Sequence, residues 1–362
     1  MVNKQSGVDI DLGNKCSQIA YDWAKKTFAN RPPGSGNPII DADGGFANIM
    51  DFNGVKIGIS SDGIGTKIEL AERTGIYDTL GFDLVAMVAD DLAANGLQTV
   101  NLSNILDVDF LDDTIVDKLM QGLHDAADFT RITLTGGEIA ELGERIVGYG
   151  TDMHFNWGAT AIGILPENRQ PVDGSGAAKG DAIITLRSRG FRSNGFSLIR
   201  RIMKDRFGAE WHTASFDDKN TWGRLLLTPS LIYTPGVVQL LNNNAQVNGI
   251  AHITGGGIFD NMARVLKLNG LGARLDNVFP PHKMMLNMQD MGKVTEDKAY
   301  RLWNMGNGMM IITPSTDADR AIRILQEADY DCRIAGNVTD GAEITLYSKG
   351  KEPQTLHYRY ES

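Results

Sequence analysis

Cysteine is nearly absent: Cys16 and Cys332 are the only two among 362 residues. Two thiols so far apart make neither a disulfide framework nor a cysteine metal cluster, and a reducing compartment is the simpler setting. Long apolar runs are missing too, and no stretch approaches the ~20 residues needed to cross a bilayer. The first residues, Met1 to Asp11, lack the apolar centre of a signal peptide, so a cytoplasmic protein is expected. Positive charge is in deficit, with 35 Lys and Arg against 45 Asp and Glu and a net charge of −10. Without a basic face, binding to nucleic acid or anionic membrane is not expected, and any anion site must be local. Several catalytic motifs are missing as well: no Gly-x-x-x-x-Gly-Lys-Ser/Thr phosphate loop, no Gly-x-Ser-x-Gly elbow and no Gly-x-Gly-x-x-Gly after a strand. His124, His154, His212, His282 and His357 stand in no metal-ligand spacing.

Glycine is plentiful, at 41 residues, and it clusters beside acids and hydroxyls where a flexible linker would show repeats. With 42% apolar and 22% charged residues, the chain can fill two ordinary cores. Its centre of organisation is Ser60 to Lys67, Ser-Ser-Asp-Gly-Ile-Gly-Thr-Lys. The alternating Val55, Ile57 and Ile59 predict a strand before it, and Ile68-Glu-Leu-Ala-Glu predicts a helix after it. Backbone N–H groups of such a turn can face an anion while Asp62 holds a cation; the plainer reading is a turn and nothing more.

The pairing of glycines with an acid or hydroxyl recurs. Asp78-Thr-Leu-Gly opens a helix to Asn95-Gly96, with Leu80, Leu84, Met87 and Val88 on one face, Asp91 in the middle of that face, and Asp83 and Asp90 on the other side. A carboxylate on an apolar face is costly unless donors or a cation meet it, so Asp91 is either a buried cap or a metal ligand. A helix over Asp113 to Asp128 and a strand from Arg131 lead to Gly136-Gly137-Glu138. Asp62, Asp91 and Glu138 are thus candidates to converge on one hard cation, which prefers oxygen ligands. Earlier in the chain, a helix over Asn14 to Phe28 precedes a Gly/Pro/Asp-rich segment in which Asp43-Gly44-Gly45-Phe46 is either a flap over a ligand or an ordinary loop.

The polar stretch from Pro166 to Lys179 marks the domain boundary, giving residues 1–167, 168–350 and a tail, 351–362. In the second half, Ser193-Asn194-Gly195 stands at the N-terminus of the helix starting at Phe196, where exposed N–H groups favour an anion. His252-Ile-Thr254-Gly255-Gly256-Gly257 repeats the arrangement. Asp260 and Asn261 can simply cap the following helix, and His252 is either structural or a proton carrier and substrate donor.

Taken together these stretches resemble the aminoimidazole ribonucleotide synthetase (phosphoribosylformylglycinamidine cyclo-ligase) family. The resemblance rests on Gly7–Asn14, Gly44–Phe46, Ser61–Lys67, Asp78–Met87, Gly136–Glu141, Ser193–Ser197, Ala251–Gly257 and Asn304–Gly308, in the family's order. It implies an α/β (α+β) fold of two domains with mixed sheets packed by helices, and N-terminal domains that pair in a homodimer. It also implies ATP and Mg²⁺, with a monovalent cation as a further candidate, and a small ribonucleotide substrate closed into an imidazole in purine biosynthesis.

Carried over, Asp62, Asp91 and Glu138 look like the metal ligands. Gly44, Gly45, Phe46, Ser61, Gly63, Gly65, Thr66, Lys67, Gly136 and Gly137 look like the rest of the nucleotide site. Arg192, Ser193, Asn194, Gly195, His252, Thr254, Gly255, Gly256 and Gly257 look like the substrate side, with Lys67, Asn194 and His252 as catalytic groups. The chain departs from the family's pattern at Asp90 (usually Asn), Arg192 (usually His), Leu231 (usually Arg), Ser103 and Asn156. Arg192 is expected to supply the cation lost at Leu231, which requires the two to be neighbours. Rival readings are another ATP-dependent phosphoryl-transfer enzyme of the superfamily, such as a thiamine-monophosphate kinase, and a non-catalytic nucleotide-binding scaffold.

Overall fold

The computed structural model describes residues 10–39 and 45–361, so Gly44 and the first part of the Gly7–Asn14 motif lie outside the described residues. The first half contains α1 (Ile10–Lys25), β1 (Asn37–Ile39), β2 (Asn48–Phe52), β3 (Val55–Gly63), α2 (Ile68–Thr74) and α3 (Leu80–Ala94). It continues with β4 (Gln98–Val108), α4 (Asp113–Thr130), β5 (Thr133–Glu141) and β6 (Phe155–Ile164). The second half runs β7 (Ala182–Arg187), α5 (Phe196–Phe207), α6 (Trp222–Leu226), α7 (Thr234–Asn242), β8 (Gly249–His252), α8 (Gly257–Leu266) and β9 (Leu271–Leu275). It closes with α9 (Lys283–Met291), α10 (Glu296–Leu302), β10 (Asn307–Thr313), α11 (Ala318–Glu327), β11 (Cys332–Asp340), β12 (Glu343–Tyr347) and β13 (Thr355–Arg359).

Each half builds one mixed sheet, in the orders β1-β2-β3-β6-β4-β5 and β13-β12-β9-β11-β7-β10-β8. Within the first, only β4 and β5 pair in parallel, bridged by α4; Asp112 caps that helix by accepting the Ile115 N–H at 3.0 Å. The β2–β3 hairpin turns on Asn53-Gly54, both at positive φ, the two-residue turn whose twist suits paired strands. Part of the segment expected to be a tail joins the second domain: β13 pairs with β12 and forms the edge of the second sheet.

One face of the first sheet is covered by helices and the other is open. On the open face Ile105, Ile162 and Ile164 are exposed, and the edge strand β5 is exposed along nearly its whole length. Helix α3 is the hub. Every residue of it except Phe82 and Asp91 is buried, because the second half covers the side that the wheel gives to Asp83 and Asp90. Among the described residues no helix is long and apolar enough to cross a membrane.

Candidate functional site

Strand β3 carries Asp62 to the end of the sheet, and side chains alternate between faces along a strand, so Asp62 shares the helix-covered side with Gly58 and Ser60. Helix α3 brings Asp91 to the same place. The two carboxylates line one cavity of about 840 Å³, with Asn194, Thr254, Gly255 and Gly256 across from them. Asp62 is exposed to the cavity, yet the walls around it strip enough water to push its carboxyl up to about 6, with the Asp91 charge adding to it. Asp91 is pushed up to about 7 by burial, against the pull of Arg264 and Arg192. Two carboxyls driven toward protonation on one wall mark a place that a cation would relieve. Among the described residues Asp91 caps no helix N-terminus and holds two side-chain contacts, His252 Nδ1 at 2.7 Å and Ser60 Oγ at 3.5 Å.

Glu138 does not join them within the chain. The register runs Asp62–Ala159–Asn104–Gly137 across β3, β6, β4 and β5, so Glu138 stands three strands away, about 14 Å at ordinary strand spacing. It is also one residue out of that row, on the open face. Gly136 and Gly137 belong to the same edge strand and are not part of the cavity wall. Among the described residues no three Asp, Glu, His or Cys side chains gather to hold a metal by themselves. Two protein carboxylates remain, a donor set that suits a hard cation carrying phosphate oxygens and water as its other ligands.

Lys67 is not a phosphate contact. Its ammonium is fully buried, donates to Asp83 Oδ1 at 2.8 Å and to the Thr228 carbonyl at 2.7 Å, and so joins the two halves. The turn around it also spends amides internally, the Gly63 N–H on Asp62 at 2.7 Å and the Ile64 N–H on the Trp157 carbonyl at 3.2 Å. Ser61 faces away from Asp62 and meets Thr160 at 2.8 Å, while Thr66 reaches Ser197 at 3.5 Å. Gly65 is exposed at positive φ.

His252 is no proton carrier either. It is fully buried, its Nε2 accepts from Arg192 at 2.8 Å, its Nδ1 meets Asp91, and burial pushes its pKa down to about 3. Arg192 is buried as well, neutralised by Asp90 at 2.9 Å, and its other nitrogen donates to the Leu231 carbonyl at 3.1 Å, so the two are neighbours as expected. Neither Arg192 nor His252 lines the cavity, so neither touches a substrate there. Ser193 is buried beside Asp83, and Gly195 packs against the Trp303 ring.

Asn194 does face the cavity, and its Nδ2 is buried without a hydrogen-bond partner among the described residues. Helix α8 begins at the cavity wall. Gly256 and Gly257 adopt positive φ, a β-carbon on Gly257 would sit 2.0 Å from the Tyr300 carbonyl, and Asn261 braces the loop through the Gly255 and Gly257 carbonyls. Gly45 borders the cavity, and Phe46 is pinned by its N–H to Asn95 Oδ1 at 3.0 Å.

Sequence reasoning passed over Arg264 in the last turn of α8 and Lys267 just beyond its end, both of which line the cavity, and Tyr21, Tyr358 and Tyr360 at its rim. Their only signal is the amphipathic pattern of α8, with basic residues near its polar edge.

Residues 44–165 match the N-terminal domain of the AIR synthase related proteins, and residues 178–349 match their C-terminal domain. The chain belongs to the AIR synthase related family. A phosphoribosylformylglycinamidine cyclo-ligase of Thermococcus kodakarensis is 32% identical over 321 residues, covering 89% of this chain and 90% of that protein. Like the relatives of that name, this family member is a ligase. Among solved structures, hydrogenase maturation protein HypE in complex with ATP superposes with a TM-score of 0.59 at 17% identity, covering 84% of this chain and 85% of that one. AaThiL complexed with AMPPCP and TMP gives 0.61 at 14%, covering 94% and 96%. At these identities the two structures bear on the fold, which is the mixed two-domain α/β arrangement expected of the family.

Proposed function

We propose that the protein closes formylglycinamidine ribonucleotide to aminoimidazole ribonucleotide at the expense of ATP. The observation that carries this reading is the cavity itself, with Asp62 and Asp91 on one wall and the Asn194 Nδ2, unpaired among the described residues, and the start of α8 on the other. The name of the cyclo-ligase relatives and the ATP and AMPPCP in the superposed structures support it.

In this reading Asp62 and Asp91 hold Mg²⁺, which supplies charge neutralisation for the triphosphate. The N–H groups opening α8 face anionic oxygens, and Arg264 and Lys267 add positive charge behind them. The formyl amide oxygen bonds to the γ-phosphorus as the bond to ADP breaks. A substrate nitrogen then bonds to the activated carbon, and the carbon–oxygen bond to phosphate breaks. Asn194 Nδ2 donates to an oxygen that gains charge in one of these steps. Closing the reactive intermediate off from water falls to the rim, where α1 and the Tyr358–Tyr360 segment border the cavity.

The departures at Asp90, Arg192 and Leu231 satisfy one another away from the cavity, and Ser103 and Asn156 lie on the open sheet face. None of them reaches the acceptor, which favours the cyclo-ligase over the kinase reading. We further propose a cytoplasmic homodimer paired through the open sheet face, since Glu138 can serve a metal site only from a second copy. Purified protein given ATP, Mg²⁺ and formylglycinamidine ribonucleotide should release ADP, phosphate and the aminoimidazole product together. ADP formed with thiamine monophosphate and not with this substrate would overturn the assignment in favour of a kinase.

A further inference from the structure

Four side chains form a continuous buried path from α3, through the second half, and back to the cavity wall. Asp90 Oδ1 accepts from the Tyr233 N–H, the Thr234 N–H and Thr234 Oγ1 at 2.8, 2.9 and 3.0 Å. Its Oδ2 accepts from Arg192 Nη2 at 2.9 Å. The same Nη2 lies 2.8 Å from His252 Nε2, and His252 Nδ1 lies 2.7 Å from Asp91 Oδ1.

Proton inventory fixes the direction of this path. A guanidinium can only donate, so His252 Nε2 must present its lone pair, and the single proton of a neutral imidazole then sits on Nδ1 and points at Asp91. Ser60 Oγ approaches the other oxygen, Oδ2, at 3.5 Å. Both oxygens of Asp91 are therefore oriented from outside the cavity. The guanidinium, whose charge Asp90 cancels, acts here as a fixed donor that selects a tautomer.

We infer that Arg192 and His252 are positioning residues that set the tautomer of His252 and through it the orientation of the Asp91 carboxylate toward a divalent cation. The inference rests on the reading of Asp62 and Asp91 as the cation's protein ligands. A partner that orients a metal ligand in this way typically changes metal affinity by about 10- to 100-fold when removed.

The first test needs no variant to survive: ¹⁵N-histidine NMR of the full chain, with His252 assigned by loss of its signal in His252→Asn. A neutral Nδ1–H tautomer is expected, and an Nε2–H tautomer or an imidazolium at pH 7.5 overturns the path. The second measures Mn²⁺ binding by electron paramagnetic resonance in the presence of a non-hydrolysable ATP analogue. His252→Ala should weaken Mn²⁺ about 10- to 100-fold, whereas His252→Asn, whose amide can reproduce the Nδ1 donor, should retain most of the affinity. Equal affinities in both variants and the wild type reject the positioning role. The paired change Asp90→Asn with Arg192→Met removes both charges and strands neither; it should release the tautomer preference and weaken Mn²⁺, and an unchanged tautomer rejects the role of Arg192. Asp62→Asn separates the two layers of the reasoning. If it binds Mn²⁺ like the wild type, the cation reading of the cavity fails; if it loses binding while His252→Ala does not, only the positioning fails.

Discussion

Replacing Asp91 by Asn removes one ionised group from the cavity wall while keeping an oxygen for the His252 Nδ1–H. The carboxyl titrates at about 7 in the folded protein against 3.8 ordinarily, a difference worth a ceiling of about 4 kcal/mol. The side chain is 19% exposed to the cavity, so water screens part of this, and about 2 kcal/mol is the working figure. The sign follows from linkage. A carboxyl whose folded pKa is raised costs nothing below about 4, where it is protonated in both states, and its cost grows through the interval up to about 7 and is complete above it. In the absence of divalent cations, Asp91→Asn should therefore match the wild type near pH 4 and exceed it in stability by about 2 kcal/mol at pH 8. Urea titrations at several pH values, compared by their midpoints at constant slope, read this directly. Turnover of the same variant should fall by about 100-fold or more, since a group that orients or binds the cation is lost. A stability difference that is flat with pH, or a variant weaker than the wild type at pH 8, would refute the placement of Asp91 on that wall.

Lys67→Met should cost about 3 kcal/mol by stranding Asp83, with KM for ATP unchanged in the folded fraction; a raised KM without loss of stability would return Lys67 to the nucleotide. Asp62→Asn and Glu138→Gln should each be inactive, and mixing the two after gentle dissociation should restore activity if Glu138 serves a neighbouring copy's site. Mixtures that stay inactive would exclude such sharing. Gly257→Ala should destabilise by about 2 kcal/mol, because its β-carbon meets the Tyr300 carbonyl at positive φ, and a near-normal melting temperature would contradict that packing.

The strand–turn–helix around Asp62 and the long helix to Asn95 are legible from periodicity and glycine placement alone. What periodicity could not show is which polar residues find partners far along the chain. Asp83 and Asp90 read as the outer side of α3 because a wheel knows only one helix; Lys67, Ser230, Arg192 and Thr234 turn that side into an interior. The convergence of Glu138 with Asp62 failed on register, since neighbouring residues in a strand face opposite ways and only the pairing of β3 through β5 decides which way each looks. His252 was found, but its surroundings were not: its company is a guanidinium that occupies one nitrogen, which nothing near it in sequence announces. The rim escaped notice because Tyr358 comes from the last strand and Tyr360 from the residues just after it, where the cavity has no motif at all.

The ionic contacts that tie α3 to the second half also govern how the molecule can move. Parting the halves like a clamshell would strand Asp90 and Arg192 in a medium that cannot solvate them until the gap is wide, and would take Thr228 from Lys67 and Ser230 from Asp83, so that motion is barred by its first few ångströms. Traffic into and out of the chamber is left to its doorway, bordered by α1 and the final strand. For the same reason either half made alone would bare half of this charged seam, and neither should keep its shape without the other.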